Sequence, residues 1–269
     1  MYKKTMLAVL TTWLALTAIF LILVACGSQP QTSQITPTAS TARVGDNGVL
    51  TKLLVFSKTG AFRHASIPDG IAALHRLAVE HQVTIDFTED STAFTDVNLS
   101  HYKAVIFLLT TGNILNDDQK GAFERYIRAG GGYVGVHSAS DTEHQWLWYG
   151  NLVGAYFRSH PSVTQATINV VDSTHPSTSM LPKQWVRTDE WYNFVTNPHG
   201  TVHVLLNLDE TTYKGGTMGV NHPIAWYHTY DGGRAWYTAL GHTSASYSEP
   251  LFLAHLWGGI VYAAGLSGQ

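Results

Sequence analysis

From about residue 50 onward, the spacing of apolar residues alternates between the pattern of a strand and that of a helix. Continuous apolar runs at 52–57 and 102–109 are typical of strands buried on both faces of a sheet. Between them, apolar residues recur at helical spacing over 71–81, and the segment 83–87 alternates like a second strand. The pattern therefore predicts a strand, a helix and two further strands in this order.

The alternation of strands and helices continues beyond residue 110. Asn116 is a suitable cap for a helix that reaches Ile127, and a glycine run then leads into a strand at 133–136. Strands that alternate with helices of this length predict a parallel sheet with right-handed crossovers. Further strands are predicted at 165–171, 202–208, 224–229 and 235–239, before a closing apolar helix at 250–264. The expected fold is α/β, with a mainly parallel central sheet and extra strands in the C-terminal half.

The first 49 residues have a different pattern. A basic start precedes an apolar run over 6–25, which ends in Leu23-Val24-Ala25-Cys26. This pattern is typical of a secretory signal, and its end resembles a bacterial lipoprotein signal in which Cys26 is lipidated. A retained anchor helix is the competing interpretation. We expect a signal peptide at 1–25, a flexible tether rich in Ser, Thr, Gln and Pro at 26–49, and one domain at 50–269. The protein would then be exported and held on a membrane, facing outside the cytoplasm.

Composition excludes several classes of function. Cys26 is the only cysteine, so the domain has no disulfide, no catalytic thiol and no thiolate metal site. The formal charge is -3 and the basic residues are scattered, which argues against nucleic-acid binding. The chain is rich in Trp, Tyr and His, a composition that suits contacts with sugars and equally suits a well-buried domain with a neutral surface.

Candidate functional residues follow the predicted parallel strands. The loops 62–64, 110–113 and 137–139 come at the carboxyl ends of these strands, where such sheets bind ligands. The turn at 135–139 resembles a nucleophile elbow, but His137 takes the place of the nucleophile. A histidine there suits a general base or a metal ligand, so a serine hydrolase is not expected. The alternative is a loop histidine bound only to the backbone.

Other candidates lie further along the chain. Asp141 follows His137, and Trp146 and Trp148 offer a stacking platform for a sugar or, alternatively, pack a helix onto the sheet. His160 precedes a proline, which holds its backbone extended and suits either a fixed functional histidine or an ordinary turn.

The segment 188–192 holds two adjacent carboxylates. If it is extended, Asp189 and Glu190 point to opposite faces, and Glu190 is favoured because Tyr192 shares its face. The titratable residues at the ends of elements are His64, His137, His160, Glu190 and His242. Histidines and a carboxylate without cysteine suit zinc or another divalent metal, provided that these residues meet in the fold.

The order of these motifs resembles one known family. The matching segments are Phe62-Arg63-His64, Gly130 through His137, Trp146 through Pro161, Asp189 through Tyr192, His222 through Trp226, Gly233-Arg234 and Leu240 through His242. They are similar to those of ThuA-like, or trehalose-utilisation, domains. The resemblance implies a flavodoxin-like, class I glutamine amidotransferase-like three-layer sandwich, and it implies carbohydrate metabolism with trehalose or 3-keto sugars. The cysteine of the amidotransferases is missing, so glutaminase activity is not implied.

Three functions remain open from the sequence. The first is an enzyme, such as a 3-keto-glycoside lyase or hydrolase, with His137 as base and Glu190 or His160 as acid. The expected substrate-binding residues are Arg63, His64, Asp141, Trp146, Trp148, Tyr192 and His242. The second is a non-catalytic carbohydrate-binding module at the cell surface. The third is a metal-dependent hydrolase.

Overall fold

The chain from residue 51 to residue 266 is described by a computed structural model. Eleven strands and five α-helices form this part of the protein. They are β1 Lys52–Phe56, α1 Ile67–Glu80, β2 Thr84–Thr88, α2 Asp96–Leu99, β3 Ala104–Leu108, α3 Asp117–Arg128, β4 Gly132–Val136, α4 Leu147–Val153, β5 Phe157–Ser159, β6 Thr164–Val170, β7 Gln184–Asp189, β8 Asn193–Phe194, β9 His203–Leu208, β10 Pro223–Tyr230, β11 Gly233–Thr238 and α5 Pro250–Ala264.

Nine of these strands form one sheet in the order β2-β1-β3-β4-β11-β10-β9-β6-β7. Strands β2, β1, β3, β4 and β11 are parallel to one another, whereas β10, β9, β6 and β7 are added in antiparallel pairs. Strands β5 and β8 form a separate short pair. The predicted α/β fold, with a parallel centre and extra strands in the C-terminal half, is confirmed.

Helices cover both faces of the sheet. On β11, Trp236 packs against α5 at Gly259, where a Cβ atom would lie 2.3 Å from the indole ring. Tyr133 of neighbouring β4 packs instead against Tyr149 of α4 on the opposite face. Because successive residues of a strand point to opposite faces, the two aromatic layers lie on the two sides of one sheet. The arrangement is the expected three-layer sandwich.

Local signals account for where the elements begin and end. The side chain of Asn116 accepts the backbone N–H of Gln119, and Gln119 reaches back to the N–H of Asn116, which completes a capping box at the start of α3. Strand β3 is buried along its whole length, which explains why it reads as a continuous apolar run.

The N-terminal segments lie outside the described residues. The expected signal peptide at 1–25, the tether at 26–49 and the lipidation of Cys26 therefore stay predictions. Between residues 51 and 266, no helix combines the length and the apolar character needed to cross a membrane.

Candidate functional site

His137 is the first residue after β4, at the carboxyl end of the parallel strands. Its φ of 52° is a left-handed conformation that is uncommon for a residue with a side chain. The hydroxyl of Tyr237 donates to the His137 carbonyl at 2.8 Å, and Nδ1 of His137 donates to the carbonyl of Ala239 at 2.7 Å. Because Nδ1 is engaged by the Ala239 carbonyl, Nε2 is the ring nitrogen that faces the other side chains of the site.

Four side chains converge at this point: His64, His137, Glu190 and His242. One potential ligand atom from each lies within 4.8 Å of the others. Glu190 Oε2 is 3.3 Å from His137 Nε2 and 3.2 Å from His242 Nδ1, and these two nitrogens are 3.2 Å apart. We call these four residues the His/Glu cluster.

His64 reaches the cluster from the loop after β1. Its Nδ1 lies 3.4 Å from Ser138 Oγ, and its ring meets those of His137 and His242 edge to face. Burial, followed by the nearby His137 and His242, lowers the pKa of His64 to about 3. The ring is therefore neutral at physiological pH, which is the state required of a metal ligand.

Glu190 carries the negative charge of the cluster. Burial alone would raise the pKa of its carboxyl, but hydrogen bonds from His137 and His242 outweigh burial and hold that pKa well below its ordinary value. In the converse direction, the hydrogen bond to Glu190 raises the pKa of His242. Glu190 is thus an ionised carboxylate with only 7% of its side chain exposed.

Asp189 holds two parts of the cluster together although it does not belong to it. Its Oδ1 accepts the backbone N–H groups of Glu190 and His242, and its Oδ2 accepts that of Gly241 at 2.9 Å. Gly241 has a φ of 105°, a conformation that few other residues adopt. Arg187 balances the buried charge at 3.1 Å from Oδ2.

The spacing of the cluster fits a divalent metal ion. Zinc is bound by histidine nitrogens and carboxylate oxygens at about 2.0–2.2 Å, so neighbouring ligands of a tetrahedral site lie roughly 3.3 Å apart. The three distances among His137, Glu190 and His242 are 3.2 to 3.3 Å. The bond from His137 to the Ala239 carbonyl is the kind of outer contact that orients a metal-binding imidazole.

His160 and Tyr192 border the cluster. Nδ1 of His160 lies 3.0 Å from the second carboxylate oxygen of Glu190, and 41% of the His160 side chain is exposed. The ring of Tyr192 lies against that of His137, with centroids 4.2 Å apart. The structure therefore brings together six of the predicted site residues.

The other predicted site residues have different partners. Arg63 pairs with Glu89, and Asp141 pairs with His144. Trp146 and Trp148 stack on each other, and their indole N–H groups donate to Glu124 and Asp231. These contacts agree with the alternative interpretation, in which the two tryptophans pack within the fold. The substrate-binding roles assigned to these four residues stay predictions.

Sequence reasoning did not single out three residues that matter at this site. Asp189 was set aside in favour of Glu190, yet it organises the backbone of the cluster. Tyr237 lies mid-strand with no motif around it and supports His137 from β11. Phe62 was noted only as part of a motif, and its exposed ring contacts His64. Of these three residues, only Asp189 could have been found from the sequence, because it adjoins Glu190.

Fold and site together define a flavodoxin-like α/β domain with a His/Glu cluster at the carboxyl ends of its parallel strands. The family model for ThuA, described as trehalose utilisation, matches residues 52–263. The chain therefore belongs to the ThuA family, a family of carbohydrate utilisation. Among curated proteins, none matches the chain significantly.

Solved structures agree with this assignment at the level of the fold. A ThuA-like protein from Bacteroides uniformis is 23% identical with a TM-score of 0.68, over 79% of this chain and 91% of that one. A ThuA-like protein from Parabacteroides merdae is 21% identical with a TM-score of 0.68, over 82% and 92%. A β-galactosidase from Bacillus circulans is 16% identical with a TM-score of 0.51, over 80% of this chain and 31% of the enzyme.

Proposed function

We propose that this ThuA-family domain is a metal-assisted enzyme that acts on a sugar or keto-sugar derivative at the His/Glu cluster. The observation that carries the proposal is the spacing of Glu190, His137 and His242, whose ligand atoms lie 3.2 to 3.3 Å apart. Zinc is the metal that three histidines and one carboxylate suit best. Membership in a carbohydrate-utilisation family supports a sugar as the substrate.

A keto group makes such a sugar reactive without the two carboxylates of ordinary glycosidases. A base removes the proton from the ring carbon between the keto group and the glycosidic carbon. The electron pair then forms a double bond and expels the glycosidic oxygen, which an acid protonates, and addition of water completes hydrolysis. A bound divalent cation would supply positive charge for the keto oxygen of the substrate.

His160 is the residue placed to move protons at this site. Its side chain is 41% exposed, and its Nδ1 donates to the Pro161 carbonyl at 2.9 Å and lies 3.0 Å from Glu190 Oε1, whereas His137 has no exposed side-chain surface. His160 therefore reaches both the carboxylate and a substrate in the open part of the site. Transfer by a positioned histidine accelerates such steps by about 10²–10⁴-fold.

A second candidate is acid–base catalysis without a metal. The raised pKa of His242, which follows from its hydrogen bond to Glu190, is compatible with a proton in the place of a cation. In this form His137 is the base and Glu190 or His160 is the acid. His137 then needs hydrogens on both ring nitrogens to bond Ala239 and Glu190 at once, and this state leaves it no lone pair with which to take a proton.

One experiment separates these candidates. Full-length protein purified in detergent is stripped with a chelator, assayed on a p-nitrophenyl 3-keto-glucoside, and assayed again after zinc is restored. We expect turnover to be lost with the metal and to return with zinc. Turnover that is indifferent to the chelator supports the metal-free enzyme instead. Calorimetric binding of trehalose without any product from the keto-glucoside supports a non-catalytic carbohydrate-binding module.

We also propose that the protein is exported and held at a membrane through lipidated Cys26. The apolar run before Leu23-Val24-Ala25-Cys26 and the polar segment after it support this proposal. Mass spectrometry of the N-terminal peptide tests it, since lipidation adds the mass of acyl chains to a peptide that begins at Cys26. A Cys26→Ala variant should lose this modification, and a wild-type peptide without acyl chains would contradict the proposal.

A further inference from the structure

Phe62 is an apolar ring held in solvent beside a polar site. Its side chain is 65% exposed, although phenylalanine is among the residues that are most often buried in folded proteins. The ring lies edge to face on His64 with centroids 4.8 Å apart. Phe62 and His64 are two residues apart in the loop after β1, and the contact between their rings places both side chains together.

The position of this ring is set by a well-bonded loop. Thr111, which is fully buried, donates its hydroxyl to the carbonyl of Phe62 at 2.8 Å and accepts the N–H of Ala61 at 3.3 Å. The carbonyl of Thr111 also accepts the N–H of Gly60 at 2.6 Å. Three hydrogen bonds to one buried residue therefore fix the loop that presents Phe62.

The cations of the same loop are directed elsewhere. Arg63 binds both carboxylate oxygens of Glu89, at 2.7 and 3.2 Å, and the ammonium group of Lys58 binds the hydroxyl of Ser91 at 2.5 Å. The loop thus offers the site an apolar ring without an accompanying positive charge. Such a surface suits the apolar face of an uncharged sugar and gives a phosphate group no partner.

We propose that Phe62 is the platform on which an uncharged sugar ring stacks next to the His/Glu cluster, so that the substrate is a free glycoside rather than a sugar phosphate. This inference rests on the proposed function, because it names the substrate class and a specificity-determining residue of that same site. The sugar contacts expected at Trp146 and Trp148 stay predictions beside this one. Those tryptophans are engaged with Glu124 and Asp231.

The test compares wild-type protein with Phe62→Ala and Phe62→Trp, and uses Leu147→Ala as a control at another exposed apolar residue. Calorimetry measures the Kd of trehalose, and steady-state assays measure KM and kcat for the p-nitrophenyl 3-keto-glucoside. Aromatic contacts of this kind change binding by about three- to tenfold. We expect Phe62→Ala to raise Kd and KM by this factor with kcat within about twofold, and Phe62→Trp to restore both constants. Leu147→Ala should match wild type, and trehalose 6-phosphate should bind no more tightly than trehalose.

The possible outcomes distinguish a failure of this inference from a failure of the proposed function. Unchanged Kd and KM in Phe62→Ala overturn the platform, even if the wild-type enzyme turns over the keto-glucoside. Tighter binding of trehalose 6-phosphate overturns the assignment to uncharged sugars, and so does a wild-type protein that binds neither probe. If trehalose binding depends on Phe62 but no keto-glucoside is consumed, the platform stands and the enzymatic proposal fails.

Discussion

One oxygen of the Asp189 carboxylate accepts the backbone N–H of His242 at 3.1 Å and also that of Glu190 at 3.0 Å. Two residues of the His/Glu cluster, which come from distant parts of the chain, are thereby held by a single buried acceptor. Asp189 is fully buried and its charge is balanced by Arg187. The geometry of the cluster therefore depends on a residue that does not belong to it.

Replacement of Asp189 by asparagine should loosen the cluster and destabilise the fold. The variant loses one acceptor oxygen and leaves Arg187 with only the partly exposed Glu249 as counter-charge, at 3.3 Å, which costs up to about 3 kcal/mol in free energy of unfolding. Loss of an outer contact of this kind lowers metal affinity by about 10–100-fold. Urea unfolding and calorimetric titration with zinc measure the two effects.

Asp209→Asn is the matched control for this change. Asp209 also accepts a backbone N–H, that of Thr211, but it lies at an exposed turn. We expect a much smaller loss of stability than in Asp189→Asn, and unchanged affinity for zinc. Zinc affinity in Asp189→Asn equal to that of wild type would show that Asp189 does not position the cluster.

His160→Ala should reduce turnover without removing the metal. The residue lies 3.0 Å from Glu190 outside the cluster, so we expect kcat for the 3-keto-glucoside to fall by about 10²–10⁴-fold at unchanged zinc content. His144→Ala is the control, since His144 is equally exposed at 41% but pairs with Asp141. Equal turnover in the two variants would remove His160 from the mechanism.

Zinc should stabilise the folded protein through the cluster. A ligand that binds only the native state at 100 times its Kd raises the free energy of unfolding by about 2.7 kcal/mol. We expect this increment in wild-type protein and its loss in Glu190→Gln and His242→Ala, as measured by urea unfolding with and without zinc. An increment of full size in both variants would place the bound metal elsewhere.

Acid should destabilise the fold through a buried histidine that does not belong to the cluster. His255 is fully buried between the Ser177 carbonyl and the Thr238 hydroxyl, and burial lowers its pKa from 6.5 to about 3. As the pH falls, His255 therefore takes up a proton in the unfolded state before it does so in the folded state. Stability from this group is complete above pH 6.5 and is lost as the pH falls towards 3.

The size of this effect follows from proton linkage. One pH unit below 6.5, His255 alone should cost about 1.4 kcal/mol in free energy of unfolding. Urea unfolding at pH 7.5 and pH 5.5 measures the loss, and His255→Gln should reduce it by about this amount. A pH dependence identical in the variant and the wild type would contradict the assignment.

Most elements of the fold could be predicted from local patterns. The apolar run of β3, the capping box at Asn116 and the closing helix Pro250–Ala264 all appear where periodicity and capping residues indicated. These signals are short-range, because they depend on neighbours within one turn or one strand. For β7, the sequence indicated only that its last residues could be extended. The short strands β5 and β8 have no clear periodicity.

The candidate site, like the fold, could be predicted from the sequence only in part. Sequence placed His64, His137, His160, Glu190 and His242 at the ends of elements, and the structure brings all five to one location. It also shows that Arg63 is occupied by Glu89. No local pattern predicts that pairing, since Glu89 follows a different strand and meets Arg63 only because β1 and β2 are neighbours in the sheet.

By itself, the sequence determined the type of fold, the family resemblance, the single cysteine outside the domain and the histidines that stand at strand ends. Tertiary structure alone decided which of these residues meet, that Asp189 holds Glu190 and His242 in place, and that the ring of Phe62 borders the cluster at His64. The physical reason is the distance along the sequence over which each signal acts. Periodicity and capping act between near neighbours, whereas the cluster depends on the order of strands in the sheet, which brings together residues as far apart as His64 and His242.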